Sequence, residues 1–397
     1  MTTIRVLHCR QSDRVWGPER QIVQLAQHLP EYGVEMELVL LRRWGLDAEP
    51  HPLAQQVRAA GVQVFEVPAR PQDVPQVLHL LRTRLQHCDL LHTHEFKSDL
   101  LGILAARRSG QPWMATDHHL ATDDKLLLRL FGYVDRLALN RAAAVVVPSH
   151  SQSLRLQPQV PAENIHVVYH GIDAAAFALS AHDERPVLRR RYGVSDGQPV
   201  VAVFGRLEPV KGHADLLEAA ALMLHERPEL RFWVVGEGRL REDLGRQAQR
   251  LGIENAVQFM GYQREVAPFM AASDLVVLPS RHESFGIVLI EAMSLAKPIV
   301  ASSAGGIPEI VLDGAHGYLA PPGEPRELAQ RALQLLADPA HAAQLGLAGR
   351  QRVGQIFTVQ LMIERMVALY RQVATSGRTD VYEPGVEAGR LYPLSGA

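Results

Sequence analysis

Short apolar runs of strand type alternate with helical patterns along most of this chain, and after one interruption the alternation starts again. The first series has strand candidates at 4–9, 35–41, 62–67, 90–94, 113–116 and 144–148, with helical patterns at 74–86, 98–108 and 124–140 among them. The pattern breaks at 174–199, an Ala-rich, charged, Pro-containing stretch. It resumes with strand candidates at 200–204, 231–235, 256–259, 275–278 and 298–301. Such alternation predicts parallel sheets with helices on both faces. Ligands of these sheets lie outside the carboxyl ends of the strands. The 397 residues exceed what one core usually supports. The expectation is therefore two α/β domains, 1–178 and 179–356, joined by a linker near 175–190, with a short helix read at 187–192. A helix over 357–374 and a flexible tail over 375–397 complete the chain.

The densest chemistry lies in residues 279–296, PSRHESFGIVLIEAMSLA. A strand, a polar loop with Ser284 and Gly286, and an apolar helix follow one another. That order leaves backbone N–H groups at a helix N-terminus, where phosphate binds. Glu283 and Glu291 flank it, one placed to hold a sugar and the other a ribose, with a diphosphate between them. The competing reading is a capped core helix in which Glu291 pairs with an internal Arg or Lys, because a lone buried charge is costly. A second stretch, 200–213, puts Arg206 at the end of a strand and Lys211 at the start of a helix. The Arg fork and the Lys point charge suit a diphosphate, although two solvated surface cations would look the same. A third, 303–310, carries paired glycines before Pro308 and Glu309 at a helix start. Gly236-Glu237-Gly238 reads as a turn with no ligand at least as readily as a binding loop.

These residues resemble glycosyltransferase family 4, whose motif of Glu, seven residues and Glu matches Glu283-Ser284-Phe285-Gly286 through Glu291. The GlyArgLeu…LysGly pattern (205–212) and the Gly-Gly-x-Pro-Glu segment match it as well. The resemblance implies the GT-B fold, two Rossmann-like doubly wound parallel-sheet domains facing a cleft, and retaining transfer of a sugar from a nucleotide. It makes Glu283, His118, Arg206 and Lys211 the catalytic set. Arg206, Lys211, Glu283, Ser284, Phe285, Gly286, Ile287, Glu291 and Gly17 become the donor-binding set. Glu291 on ribose hydroxyls favours UDP or GDP. No cofactor or metal is required, since Arg and Lys supply the positive charge. ThrAspHis (116–118) gives His118 the donor sugar, with His119 the competing equivalent. TyrHisGlyIleAsp (169–173) reads as a hinge, with His170 in place of the family's Asn.

The first loop departs from the family, because Trp16 stands where a glycine is usual. Trp16 either walls the acceptor pocket or packs against the linker. His92 and His94 share one face of a strand and, with Asp117, pose a metal site. Polar cleft residues are the preferred reading. The helix over 124–141 is read as facing the core, with a monolayer contact for a lipid-linked acceptor as the sharper alternative.

Composition bounds the rest. A net charge of −2 gives no basic field for nucleic acid. The two cysteines, in or beside strand-like runs, read as reduced core thiols. No apolar run is long enough to span a bilayer and the chain enters a strand at once, so a cytoplasmic enzyme is expected, with a peripheral contact at the inner membrane face left open. Expected partners are a nucleotide sugar and a glycan, lipid-linked or small-molecule acceptor. Sugar and oligomeric state are not legible. The rival functions are a sugar phosphorylase, a nucleotide-sugar epimerase and a silent sugar-nucleotide binding protein.

Overall fold

The computed structural model describes residues 3–12, 15–42, 51–118, 134–181, 185–195 and 197–376. His119, most of the 124–141 helix and the tail beyond 376 lie outside the described residues; residues 134–139 are helical. The chain forms two compact units, one of residues 1–147, 153–167 and 364–397, the other of 148–152 and 168–363.

The first unit holds a seven-stranded parallel sheet in the order β3-β2-β1-β4-β5-β6-β7. Its strands are β1 (Ile4–Gln11), β2 (Val34–Arg42), β3 (Gln63–Pro68), β4 (Leu90–His94), β5 (Trp113–Thr116), β6 (Ala144–Val147) and β7 (Ile165–Val167). One face is apolar: Leu7, Cys9, Val39, Leu41, Leu91, Ala115 and Val145 pack into one core with Val77, Leu81, Leu85 and Ala105 of the helices Val74–Leu85 and Phe96–Ser109. Both thiols are free and buried, and burial pushes Cys88 up to about 12.

The second unit repeats the plan with six parallel strands, β10-β9-β8-β11-β12-β13. They are β8 (Val200–Phe204), β9 (Arg231–Val235), β10 (Val257–Gly261), β11 (Leu275–Leu278), β12 (Ile299–Ser302) and β13 (Tyr318–Ala320). Strand order reverses between β1 and β4 in one sheet and between β8 and β11 in the other. At such points the loops diverge to opposite faces and leave a crevice. Every strand candidate is present within a few residues. The additions are the edge strands β7 and β13, three residues each, too short for a periodicity to show.

The segment expected as a linker holds two helices, Ala174–Ser180, which was not expected, and Arg185–Arg191, close to the short helix read at 187–192. Asp173 caps the first helix by accepting from the Ala176 N–H at 2.9 Å. Arg185 and Arg189 fasten the second to Asp274, at 2.5 and 3.1 Å. The charges that suggest a solvated linker are thus spent on helix ends and ion pairs. The last helix, Val359–Ser376, begins in the second unit and continues into the first.

Candidate active site

Three loops meet at the carboxyl ends of β8, β11 and β12. The backbone of the β8 loop is bound to that of the β11 loop: Val210 O accepts from the Arg281 N–H at 2.8 Å. Gly212, at φ +67°, lies so close to Pro279 that a Cβ would sit 1.9 Å from its carbonyl oxygen. The β12 loop meets the β11 loop in the same way. Gly305, at φ +57°, would put a Cβ 1.9 Å from the Glu283 carbonyl oxygen, and the Gly306 N–H donates to that oxygen at 2.9 Å. The paired glycines therefore permit the approach of two backbones. Gly236 and Gly238 serve the β8 loop likewise, backing onto Gly205 and Leu207, which favours the ligand-free reading of that turn.

Side chains complete the arrangement. The Lys211 ammonium donates to Glu283 Oε2 at 2.6 Å, and the Ser280 hydroxyl to the same oxygen at 3.0 Å. Glu283 Oε1 takes no hydrogen bond among the described residues. Arg281 holds the buried Asp215 through both carboxylate oxygens, at 2.8 and 2.6 Å. Arg206 is exposed, and its guanidinium makes no hydrogen bond or ion pair among the described residues. His213 donates to the Arg206 carbonyl from Nε2 at 3.0 Å, and burial lowers its pKa to about 4.

The helix Ile287–Ser294 starts at Gly286 (φ 107°) without a side-chain cap, and the N–H groups of Ile287 and Val288 find no acceptor among the described residues. Those are the orphan donors an anion would satisfy. The ring of Phe285 packs among Tyr169, His170 and Phe357, at 5.8, 5.2 and 5.7 Å between centroids. The Ser284 carbonyl accepts from Ser149 Oγ at 2.6 Å. Glu291 is buried in that helix, 4% exposed. Glu309 is turned to the backbone N–H groups of His150 and Ser151 at 2.9 and 2.8 Å and to Tyr169 at 3.1 Å. The hinge segment pairs with the chain near Thr358: Ile172 bridges to it, and a Cβ on Gly171 would meet the Thr358 carbonyl oxygen at 2.4 Å.

The remaining expected residues lie in the first unit. Gly17 opens the helix Gly17–His28, and the Trp16 N–H donates to Glu19 at 3.0 Å, capping it. His118 follows β5 and stacks on His94 with ring centroids 5.7 Å apart. Sequence reasoning missed the charge cluster beside them. Arg10 is buried, with Nη2 2.6 Å from Glu19 and 2.8 Å from Glu95. Burial opposes its charge, and the two carboxylates outweigh that and hold the pKa above the ordinary guanidinium value. Glu95 has φ 82° and ψ 158°, a conformation almost confined to glycine. The signal was present: a charged residue inside an apolar strand must have a partner.

Also missed was His8, which the parallel register places beside His92. His8, His92 and His94 are buried, with ligand atoms within 4.8 Å of one another, and burial lowers the pKa of each. Asp117 is not the third member of the group; His8 is.

Two doubly wound parallel sheets, each with its strand order reversing at one point, are the plan of the GT-B class of glycosyltransferases. The model for glycosyl transferases group 1 matches residues 184–352, and that for glycosyltransferase family 4 matches residues 15–176. A D-inositol 3-phosphate glycosyltransferase of Thermobispora bispora is 30% identical over 389 residues, covering 90% of each chain. An N-acetyl-alpha-D-glucosaminyl L-malate synthase of Bacillus anthracis is 27% identical over 333 residues, covering 82% of this chain and 85% of that protein. Anabaena HepE, solved in complex with UDP and glucose, has a TM-score of 0.82 at 26% identity, covering 93% of this chain and 99% of that one. The chain belongs to glycosyltransferase family 4, and it is an enzyme of the hexosyltransferase type.

Proposed function

We propose that the enzyme transfers a sugar, with retention of anomeric configuration, from a UDP- or GDP-linked donor to a glycan, lipid-linked or small-molecule acceptor. The observation that carries this reading is the convergence of Arg206, Lys211, Glu283 and the open N-terminus of the helix Ile287–Ser294 at one switch point. In this reading Arg206 and the orphan N–H groups of Ile287 and Val288 take the diphosphate and stabilise its charge as the bond to the sugar breaks. Lys211, already on Glu283, has two further N–H donors for a phosphate oxygen. Its bond and that of Ser280 orient the Glu283 carboxylate, leaving Oε1 for a sugar hydroxyl. Glu291 is assigned to the ribose, His118 to the donor sugar and Gly17 to the donor phosphates. Ser284, Phe285 and Gly286 contribute backbone. HepE, crystallised with UDP and glucose, supports UDP as the first donor to try. No metal is assigned to donor binding. Among the described residues no helix is long and apolar enough to cross a membrane, and a cytoplasmic enzyme is our working assignment.

A thermal-shift panel of UDP, GDP, ADP and their sugar conjugates, with and without EDTA, tests the donor site. A ligand at a hundredfold its Kd adds about 2.7 kcal/mol. We expect one nucleotide family to raise Tm, with the shift lost in Arg206→Ala and unaffected by EDTA. No shift from any nucleotide would reject the donor assignment. NMR of the product's anomeric proton decides retention.

A further inference from the structure

Five side chains of the first unit form one hydrogen-bonded chain. Thr116 Oγ1 meets His92 Nε2 at 2.7 Å, and His92 Nδ1 meets the Tyr370 hydroxyl at 2.8 Å. The same hydroxyl lies 3.3 Å from His8 Nε2, and His8 Nδ1 lies 3.0 Å from His94 Nε2. All five are buried. The chain ends at His94 Nδ1, which is buried and has no partner among the described residues.

A metal is the obvious occupant for three clustered imidazoles, but the hydrogen bonds argue otherwise. A metal needs a lone pair from each ring. Here both nitrogens of His8 and both of His92 are already committed to protein groups, and only one nitrogen of His94 is left over.

Proton bookkeeping shows what the cluster does instead. A neutral imidazole carries one N–H and one lone pair, and a phenol carries one proton. If Tyr370 donates to His92 Nδ1, then His92 Nε2–H must donate to Thr116. Tyr370 must accept from His8 Nε2–H, and His8 Nδ1 must accept from His94 Nε2–H. If Tyr370 donates to His8 instead, every bond reverses. One hydroxyl therefore sets the tautomers of all three histidines, and a ring hydrogen-bonded at both nitrogens cannot rotate without breaking two bonds.

The network reaches His118 by two routes. His92 fixes Thr116, two residues before it in the chain. His94 stacks on the His118 ring with an interplanar angle of 17°. We propose that Tyr370, delivered by the C-terminal helix, is a positioning residue for sugar transfer that acts by locking His8 and His92, setting the tautomer of His94 and so fixing the plane of His118. This inference rests on the assignment of His118 to the donor sugar.

Tyr370→Phe keeps the ring and removes only the hydroxyl. With UDP-glucose as the probe donor and its hydrolysis as the assay, we expect kcat to fall about ten- to a hundredfold, the scale of a small misplacement of a reacting group. The donor KM should stay within about twofold, because Tyr370 acts through His118 and not on the diphosphate site. In a His118→Ala background the same change should have no further effect on kcat. The 15N shifts of His8 and His92 should report altered tautomers, and the His118 resonances should move. An equal loss of kcat in both backgrounds would make Tyr370 merely structural, and unchanged kcat with unchanged imidazole shifts would overturn the proposal outright. A UDP thermal shift separates the two readings. If UDP binds and Arg206→Ala abolishes binding while His118→Ala leaves kcat intact, the donor site stands and the Tyr370 proposal falls. If neither UDP nor any other nucleotide of the panel binds, the donor site itself is rejected and the proposal falls with it.

Discussion

At the scale of single residues, the candidate site depends on positions where an extra atom has no room. Gly305 combines a left-handed backbone with a carbonyl oxygen 1.9 Å from where a Cβ would lie. That oxygen belongs to Glu283, so Gly305→Ala would push the proposed sugar-binding carboxylate out of place. We expect a stability loss of about 1–3 kcal/mol from overpacking and a weakened donor thermal shift. Calorimetry beside the nucleotide panel would show it, and a variant with wild-type Tm would remove the close approach from the argument. Glu283 and Lys211 were legible from their motifs as candidate ligand-binding groups. That they bind each other was not, because a contact across 72 residues leaves no trace in local spacing.

At the scale of elements, the helix Ile287–Ser294 ends in a Schellman motif built on the wrong residue. The Ala296 N–H donates to Met293 O at 2.9 Å and the Lys297 N–H to Ala292 O at 3.0 Å. Ala296 takes φ 51°, where glycine is the usual choice. Ala296→Gly should therefore stabilise the protein, by about 0.5–1 kcal/mol once the greater freedom of glycine in the unfolded chain is subtracted. Urea unfolding at constant m-value measures it, and a lower midpoint would contradict the strain argument. The other end of the helix was readable in advance, since Gly286 before an apolar run is a local signal. In the expected linker the helix Arg185–Arg191 was foreseen as a short helix at 187–192, but the helix Ala174–Ser180 was not. Their composition resembles a solvated connector until Asp173 caps one and Asp274 holds the other.

For the whole molecule, acid is the informative variable. In the second unit burial lowers His170 and His213 to about 4 each. A folded pKa below the unfolded value means that the unfolded chain takes up protons first as pH falls. Stability from these groups is complete above about 6.5 and is lost on the way down to about 4. Each contributes a loss of about 2 kcal/mol between pH 6.5 and 5. His8, His92 and His94 act in the same direction in the first unit. Asp99 and Asp135 oppose them there: burial raises the pKa of both, Asp135 adds to the rise of Asp99, and Asp117 and Glu95 add to the rise of each, so their contribution is present at low pH and fades as pH rises. The second unit should therefore show the cleaner acid destabilisation. Proteolysis in urea at pH 7 and pH 5, with cuts mapped to β8–β13, tests this; equal protection at both values would refute it.

The sequence by itself determined the two parallel sheets, nearly every strand and the loops that carry Arg206, Lys211, Glu283 and Gly286. Those features are written in short-range periodicity and in glycine, proline and charge placement, which act over a few residues. Tertiary structure alone decided which side chains far apart in the sequence share a hydrogen bond. His8 meets His92 because β1 pairs with β4 in one register, and His92 meets Tyr370 across 278 residues because the last helix packs against that face of the sheet. Strand pairing and helix docking depend on burying whole faces from water, and no local stretch of sequence carries that quantity.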